Sequence, residues 1–308
     1  MFSNLRNKGL ALWILVFLTA HPTQSWAWGK TGHQLVELVA SRLLPQSNIK
    51  DLIQNNMDAT YYLCFVPDIP WKHGSEPPHP LEGQSHFFTM DIYSPSGQPI
   101  PYEFPLFAKK FGIDKVLKYG TAPWRAEQLT ALLIKAMARP NPSTIEILQI
   151  AATMGHYVSD LGNPLHVVSD YNGVKAGAPG LHSFFETKTV EDLNYNVLAG
   201  EIRDAGEKLL PKIPNETTPV EGGFYMARAG FAESKTLLDA AHKLGLSPAL
   251  ARLSHPIIVR TLANSSAMLA KIWYQAWVAA GKPNFRTDHL ANVPTPDWIP
   301  LNYLNPGQ

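Results

Sequence analysis

The chain has 308 residues, of which 17% are charged, with 26 Lys and Arg against 25 Asp and Glu. That near balance excludes a protein whose affinity rests on a large basic surface, of the kind that coats duplex nucleic acid, although it leaves chemistry on short strands open. Cys64 is the single cysteine, which excludes an intramolecular disulfide and leaves metal ions to supply the missing staples.

In chain order, Arg6 and Lys8 precede an apolar run over residues 10–20, and the small residues Ser25 and Ala27 follow. This is the pattern of a signal peptide cut after Ala27, with an apolar core too short to span a bilayer comfortably. The expectation is a secreted or periplasmic protein that begins at Trp28 and has no stable membrane span. Removing residues 1–27 takes away two basic residues and no acidic one, so the mature net charge is −1. No linker, internal repeat or low-complexity tract divides residues 28–308, whose length suits one large domain, expected to be monomeric. Asn215-Glu216-Thr217 and Asn264-Ser265-Ser266 match the glycosylation sequon, which matters only in a eukaryotic secretory path.

Trp28-Gly29-Lys30-Thr31-Gly32-His33 leads into an amphipathic run, 34–44, that stops at Pro45, and a second helix is expected over 51–62. An irregular segment, 64–84, then carries Asp68, Trp71, Lys72 and His73 among prolines and glycines, the kind of stretch that frames a site. Around His86-Phe87-Phe88 a short strand is conceivable. From there the apolar spacing predicts helices over 106–119, 123–138, 143–161, 181–198, 202–209, 222–244 and 248–280, the last stopped by Gly281 and Pro283. The fold class is therefore all-α. The Met, Trp and Tyr residues of 268–277 sit at helical spacing and are expected to pack in the core.

Residues 143–186 concentrate the chemistry. Ser143 and Glu146 form a capping-box pattern, and the helix it starts places His156 and Asp160 on one face at i, i+4. Asn163-Pro164 breaks that helix just before His166. Beyond a Gly-rich loop, His182 and Glu186 repeat the four-residue spacing. Imidazole nitrogen and carboxylate oxygen are the donors zinc accepts, and one ion cannot use all five. Taken singly, His156 would pass for a core histidine and Asp160 or Glu186 for surface charges; the repeated pairing on both sides of a helix-breaking turn argues for a metal site.

With these residues in place, the chain resembles the S1/P1 nuclease family, whose fold the zinc-dependent phospholipases C share. The match runs through Trp-Gly-x-x-Gly-His at Trp28–His33, Asp68, His86-Phe87, His156-x-x-x-Asp160-x-x-x-Pro164-Leu165-His166 and Leu181-His182-Ser183-x-x-Glu186. The resemblance implies a single helical domain with long irregular loops around three zinc ions. One zinc would be held by Asp68, His86, His156 and Asp160. A second would be held by His166, His182 and Glu186. The third would take the α-amine and carbonyl oxygen of Trp28, His33 and the bridging Asp160. Asp68 and Asp160 would be the catalytic carboxylates, and a hydroxide between two zincs the nucleophile at phosphorus. Phe87 stands where the nucleases stack a base, and Lys72 is a candidate phosphate clamp.

The implied activity is a zinc-dependent phosphodiesterase, in the first place an endonuclease of single-stranded DNA and RNA. A phospholipase C acting on phospholipid head groups is the alternative, and a non-catalytic, zinc-stapled helical binding protein the third. Glu186 replaces the aspartate usual in the nucleases, and the sixteen-residue step from His166 to His182 is nearer the phospholipases. The five-residue step from Trp28 to His33 is the nuclease spacing. Trp71 occupies the position where the nucleases carry an arginine.

Overall fold

In the computed structural model, which describes residues 28–73, 79, 81–93, 100–214 and 217–307, every regular element is helical. Residues 1–27, where a signal peptide is expected, and the sequon residues Asn215 and Glu216 lie outside the described residues. Lys30–Leu43 (α1) buries Leu35, Val36, Val39 and Ala40 along one stripe, as its apolar spacing requires. The single helix expected over 51–62 is two, Asn48–Asn55 (α2) and Met57–Leu63 (α3). Asn56 separates them because its side-chain amide reaches back to the Leu52 carbonyl at 2.8 Å and its backbone leaves the helical region.

Residues 87–89 are extended, and the Phe88 and Met90 amides donate to His166 and Val167 carbonyls at 2.9 and 2.8 Å, but no strand ladder forms. A single turn, Met90–Tyr93 (α4), follows. The helix expected over 106–119 is broken into Phe104–Phe111 (α5) and Ile113–Tyr119 (α6) by Gly112, whose φ of 87° no ordinary helix residue adopts.

Ala122–Met137 (α7) and Thr144–Gly162 (α8) match their expected ranges, with Ser143 Oγ accepting the Glu146 amide at the start of α8. The helix expected over 181–198 is instead a chain of short pieces, Leu181–Ser183 (α9), a π-helical turn Phe184–Lys188 and Thr189–Glu191 (α10). Asn194 then caps a new helix, Tyr195–Leu209 (α11), accepting the Asn196 and Val197 amides at 3.1 Å. Pro219–Leu244 (α12) and Pro248–Ala279 (α13) complete the set, and residues 283–307 run back across the body without regular structure.

Helix α8 sits in the middle, packed on α7, α12, α13 and α1, and is buried almost all round from Ile147 to Gly162. Gly155 permits that approach: a Cβ there would lie 1.8 Å from Glu37 Oε1 of α1. Beside it Phe88, Phe107, Trp124 and Phe224 form a mutual ring cluster with centroids 4.8 to 6.1 Å apart. Each such ring, fully buried, contributes about 1.5–3 kcal/mol. Met268 and Trp273 are core residues, as expected. Within α13, Ser265 and Ser266 of the second sequon are fully buried and its Asn264 is half-buried.

Candidate metal centre

α8 carries His156 and Asp160 into the core on one face, and the turn that ends it brings His166 alongside. The two remaining carboxylates come from π-helical turns, Asp68 from Pro67–Trp71 and Glu186 from Phe184–Lys188. Such wide turns re-aim a side chain that a regular helix would point elsewhere, and they recur at functional sites.

Three groups of donors converge: His33, Asp68 and His156; His86, His156 and Asp160; His166, His182 and Glu186. Within each group the donor atoms lie within 4.8 Å of one another, and every residue is buried. His33 thus joins Asp68 and His156 as well as approaching Asp160, a regrouping the motif alone does not indicate. Asp160 lies between the groups. Its Oδ2 is 3.0 Å from His86 Nδ1 and 3.3 Å from His156 Nε2, while its Oδ1 is 3.7 Å from His33 Nε2 and 3.8 Å from His166 Nδ1. Trp28 is fully buried beside them, its indole donating to the Ser159 carbonyl at 3.0 Å and its ring 5.4 Å from Phe185.

The chain turns one nitrogen of several imidazoles toward the donor cluster. His156 Nδ1 faces the Cys64 carbonyl at 2.8 Å, and His166 Nδ1 faces the His86 carbonyl at 2.7 Å. A carbonyl only accepts, so each Nδ1 carries the proton and each Nε2 presents a lone pair. For His33, Ser159 Oγ does the same work at 2.6 Å, because it donates its own proton to the His156 carbonyl at 2.7 Å. His86 is turned the other way, with Nδ1 in the donor cluster and Nε2 toward Glu82 Oε1, 3.6 Å away.

Zinc fits this donor set. Buried atoms with no hydrogen-bond partner among the described residues include His33 Nε2, Asp68 Oδ2, Asp160 Oδ1, His166 Nε2 and Glu186 Oε1. Buried polar atoms without partners are costly, and here they are the donors zinc takes.

The electrostatics largely prepare the same state. Burial works against ionising Asp160, but His156, His166 and the hydrogen bonds from His156 and His86 outweigh it and hold the carboxyl well below its usual range. Burial and His156 push His33 well down, and burial with Lys72 takes His182 to about 3, so both are neutral. Two groups still hold protons. Burial raises Glu186 to about 8, and His86, despite burial and Lys72, is raised to about 9 by Asp160, Glu82 and Asp68.

Phe87 stacks on His166 with centroids 4.6 Å apart and 9° between planes, and meets Tyr171 edge-on at 5.7 Å. Both rings line a cavity of about 270 Å³ next to the donors, and Tyr171 is 43% exposed. Gly120 permits this placement, since its φ is 109° and a Cβ would meet the Phe87 carbonyl oxygen at 2.1 Å. Lys72 Nζ is 3.5 Å from Asp68 Oδ1. Trp71 is buried, with its indole donating to the Pro296 carbonyl at 3.0 Å.

Ser159, Glu82 and Arg125 belong to the centre without standing out in the sequence. Ser159 follows His156 by three, on the same helix face. Glu82 precedes His86 by four, the same carboxylate–imidazole spacing that marks the other pairs, so a signal is present. Arg125 has none: it arrives from α7, its Nη2 3.5 Å from Glu82 Oε2.

No protein-family model matches this chain, and no curated protein sequence does. Among solved structures, the alpha toxin of Clostridium absonum is similar in fold, with a TM-score of 0.52 and 14% identity over 82% of this chain and 67% of that one. An alpha-toxin of Clostridium perfringens from avian strain SWCP aligns at 14% identity and a TM-score of 0.48 over 82% of this chain and 64% of its own. The chain thus spans about two thirds of the length of each, and the likeness to the first shows the all-α fold.

Proposed function

We propose that this protein is a zinc-dependent hydrolase of phosphodiester bonds, with phospholipid head groups as the favoured substrate. One observation carries the reading: three groups of buried His and carboxylate donors converge around Asp160, with imidazole tautomers set for coordination. Asp68, His33, His86, His156, His166, His182, Glu186 and the amino terminus of Trp28 would hold up to three ions, with Asp160 shared. Zinc bound there supplies activated water and neutralises charge on phosphoryl oxygens.

The chain's own residues do the rest. The carboxylates of Asp68 and Asp160 are kept ionised, so they hold their places without a proton to lose. Lys72 stands at the edge of the donors with 16% of its side chain exposed, where its ammonium would orient a phosphate oxygen. Phe87 and Tyr171 would flank the organic part of the substrate.

Support for a phospholipid comes from Trp71. At the position where the nucleases carry an arginine, this chain has a buried indole tied to Pro296, which cannot grip a phosphate. Glu186 and the long step before His182 point the same way. Single-stranded nucleic acid is the second reading, favoured by the Phe87–Tyr171 pair, since sequence-tolerant binding uses aromatic stacking. Among the described residues no helix is long and apolar enough to cross a membrane. The signal-peptide pattern supports action outside the cytoplasm.

The test is to incubate zinc-loaded protein beginning at Trp28 with phosphatidylcholine vesicles and, separately, with single-stranded DNA. Chelator-sensitive head-group release is expected. DNA cleavage without it would reverse the substrate order, and inactivity on both with zinc bound would favour the non-catalytic helical protein.

A further inference from the structure

Beyond α13 the last segment does not trail away. It is pinned at intervals across the molecule: Asn56 Oδ1 accepts the Leu290 amide at 2.6 Å, Gln149 donates to the Pro294 carbonyl at 2.7 Å, and Tyr303 meets Thr121 Oγ1 at 2.9 Å. Its middle touches the back of the metal centre. The Trp71 indole donates to Pro296, Gln128 Nε2 donates to the Pro300 carbonyl at 2.7 Å, and Trp298 Nε1 donates to Glu82 Oε2 at 2.7 Å.

Glu82 is fully buried and its two oxygens face different partners. Oε1 accepts from the Tyr157 hydroxyl and from Ser85 Oγ, and lies 3.6 Å from His86 Nε2. Oε2 has Trp298 and, at 3.5 Å, the Arg125 guanidinium. Arg125 is buried between the Trp71 and Tyr157 rings and donates to Gln128 Oε1 at 3.0 Å. The segment therefore fastens Trp71, Glu82 and Gln128, which surround Arg125, and Glu82 backs the His86 ring.

We propose that the carboxy-terminal segment is a working part of the metal centre, with Trp298 and Glu82 as positioning residues that fix the His86 ring from behind. The inference rests on the zinc reading above. A carboxylate on the far nitrogen of a metal-binding imidazole orients the ring and strengthens its donor nitrogen. Without the indole N–H, Oε2 keeps only the longer contact to Arg125, and the carboxylate is free to turn toward that cation and away from His86. The ring then loses the charge that aims Nδ1 at Asp160 and His156.

The experiment compares wild type, Trp298→Phe and Tyr303→Phe, all full-length after Ala27, by capture of released zinc with a chromogenic chelator in excess. Trp298→Phe keeps an aromatic ring to stack on His79, whose centroid is 3.9 Å from the indole, and removes only the donor. Expected is one ion released on the order of 10-fold faster in Trp298→Phe, the others unchanged, with the metal-free melting temperature close to wild type. Tyr303→Phe, at the far end of the same segment, should release zinc as wild type does. Unchanged release in Trp298→Phe overturns the proposal. So does faster loss of every ion with a matching drop in metal-free melting temperature, which marks a merely structural tether. A wild-type protein that holds no zinc overturns the functional reading itself.

Discussion

Ser159 Oγ stands 2.6 Å from His33 Nδ1 and gives its own proton to the His156 carbonyl, so it can only accept from that imidazole. One small hydroxyl thereby settles which nitrogen of His33 is available. Ser159→Ala removes the acceptor and lets the ring take either tautomer. Zinc affinity at the His33 site should fall by roughly 10- to 100-fold while the other ions stay bound. Competition against a chelator of known affinity reads this directly, and unaltered affinity of all ions would refute the tautomer argument.

Asp160→Asn should abolish hydrolysis and remove more than one zinc. The carboxylate lies between donor groups, 3.0 Å from His86 Nδ1 on one oxygen and 3.7 Å from His33 Nε2 on the other, and a neutral amide cannot serve both sides. Elemental analysis decides. Loss of one ion or none, with activity kept, would end the bridging assignment.

Protein with any extra residue before Trp28 should bind about one zinc fewer and be strongly impaired, since an amide nitrogen, unlike an amine, has its lone pair tied up in resonance. Trp28 is fully buried and anchored through its indole to the Ser159 carbonyl. An extended protein shown by mass spectrometry to be uncleaved, yet carrying the full zinc complement and activity, would contradict the amino-terminal site.

The metal-free protein should lose stability as pH rises from about 6.5 to 9. His86 has its folded pKa raised to about 9 from 6.5, so its contribution is full below 6.5 and disappears as pH climbs through 9. Glu186, raised to about 8 from 4.5, acts in the same direction, because the folded state keeps a proton that the unfolded chain gives up. Zinc must displace both protons, so the rise in melting temperature on adding zinc should grow with pH over this window. A metal-free melting temperature that increases from pH 6.5 to 9 would show the sign to be wrong.

Much of this centre is legible in the amino-acid sequence, because its donors are clustered along the chain. His156 with Asp160, and His182 with Glu186, announce themselves by i, i+4 spacing around a helix-breaking Asn163-Pro164. The long helices α7, α8, α12 and α13 follow from apolar periodicity and caps that agree with tertiary packing. The breaks are harder to read. Gly112 and Asn56 interrupt apolar patterns that continue across them, and the π-helical turn at Phe184–Lys188 keeps helical composition while changing the rise per residue. What lies beyond the reach of local patterns is the support behind the donors. Arg125 and Trp298 meet Glu82 from opposite parts of the chain, and nothing in an irregular segment such as 283–307 marks a residue that acts across the fold.

An anomalous difference map at the zinc absorption edge, from crystals of protein beginning at Trp28, bears most directly on the proposed metal centre. Three peaks are predicted, one among Asp68, His86, His156 and Asp160, one among His166, His182 and Glu186, and one beside His33, Asp160 and the amino terminus of Trp28. A map with no peak at these three positions, from protein shown to be folded and grown with zinc present, would rule out a zinc centre among these residues.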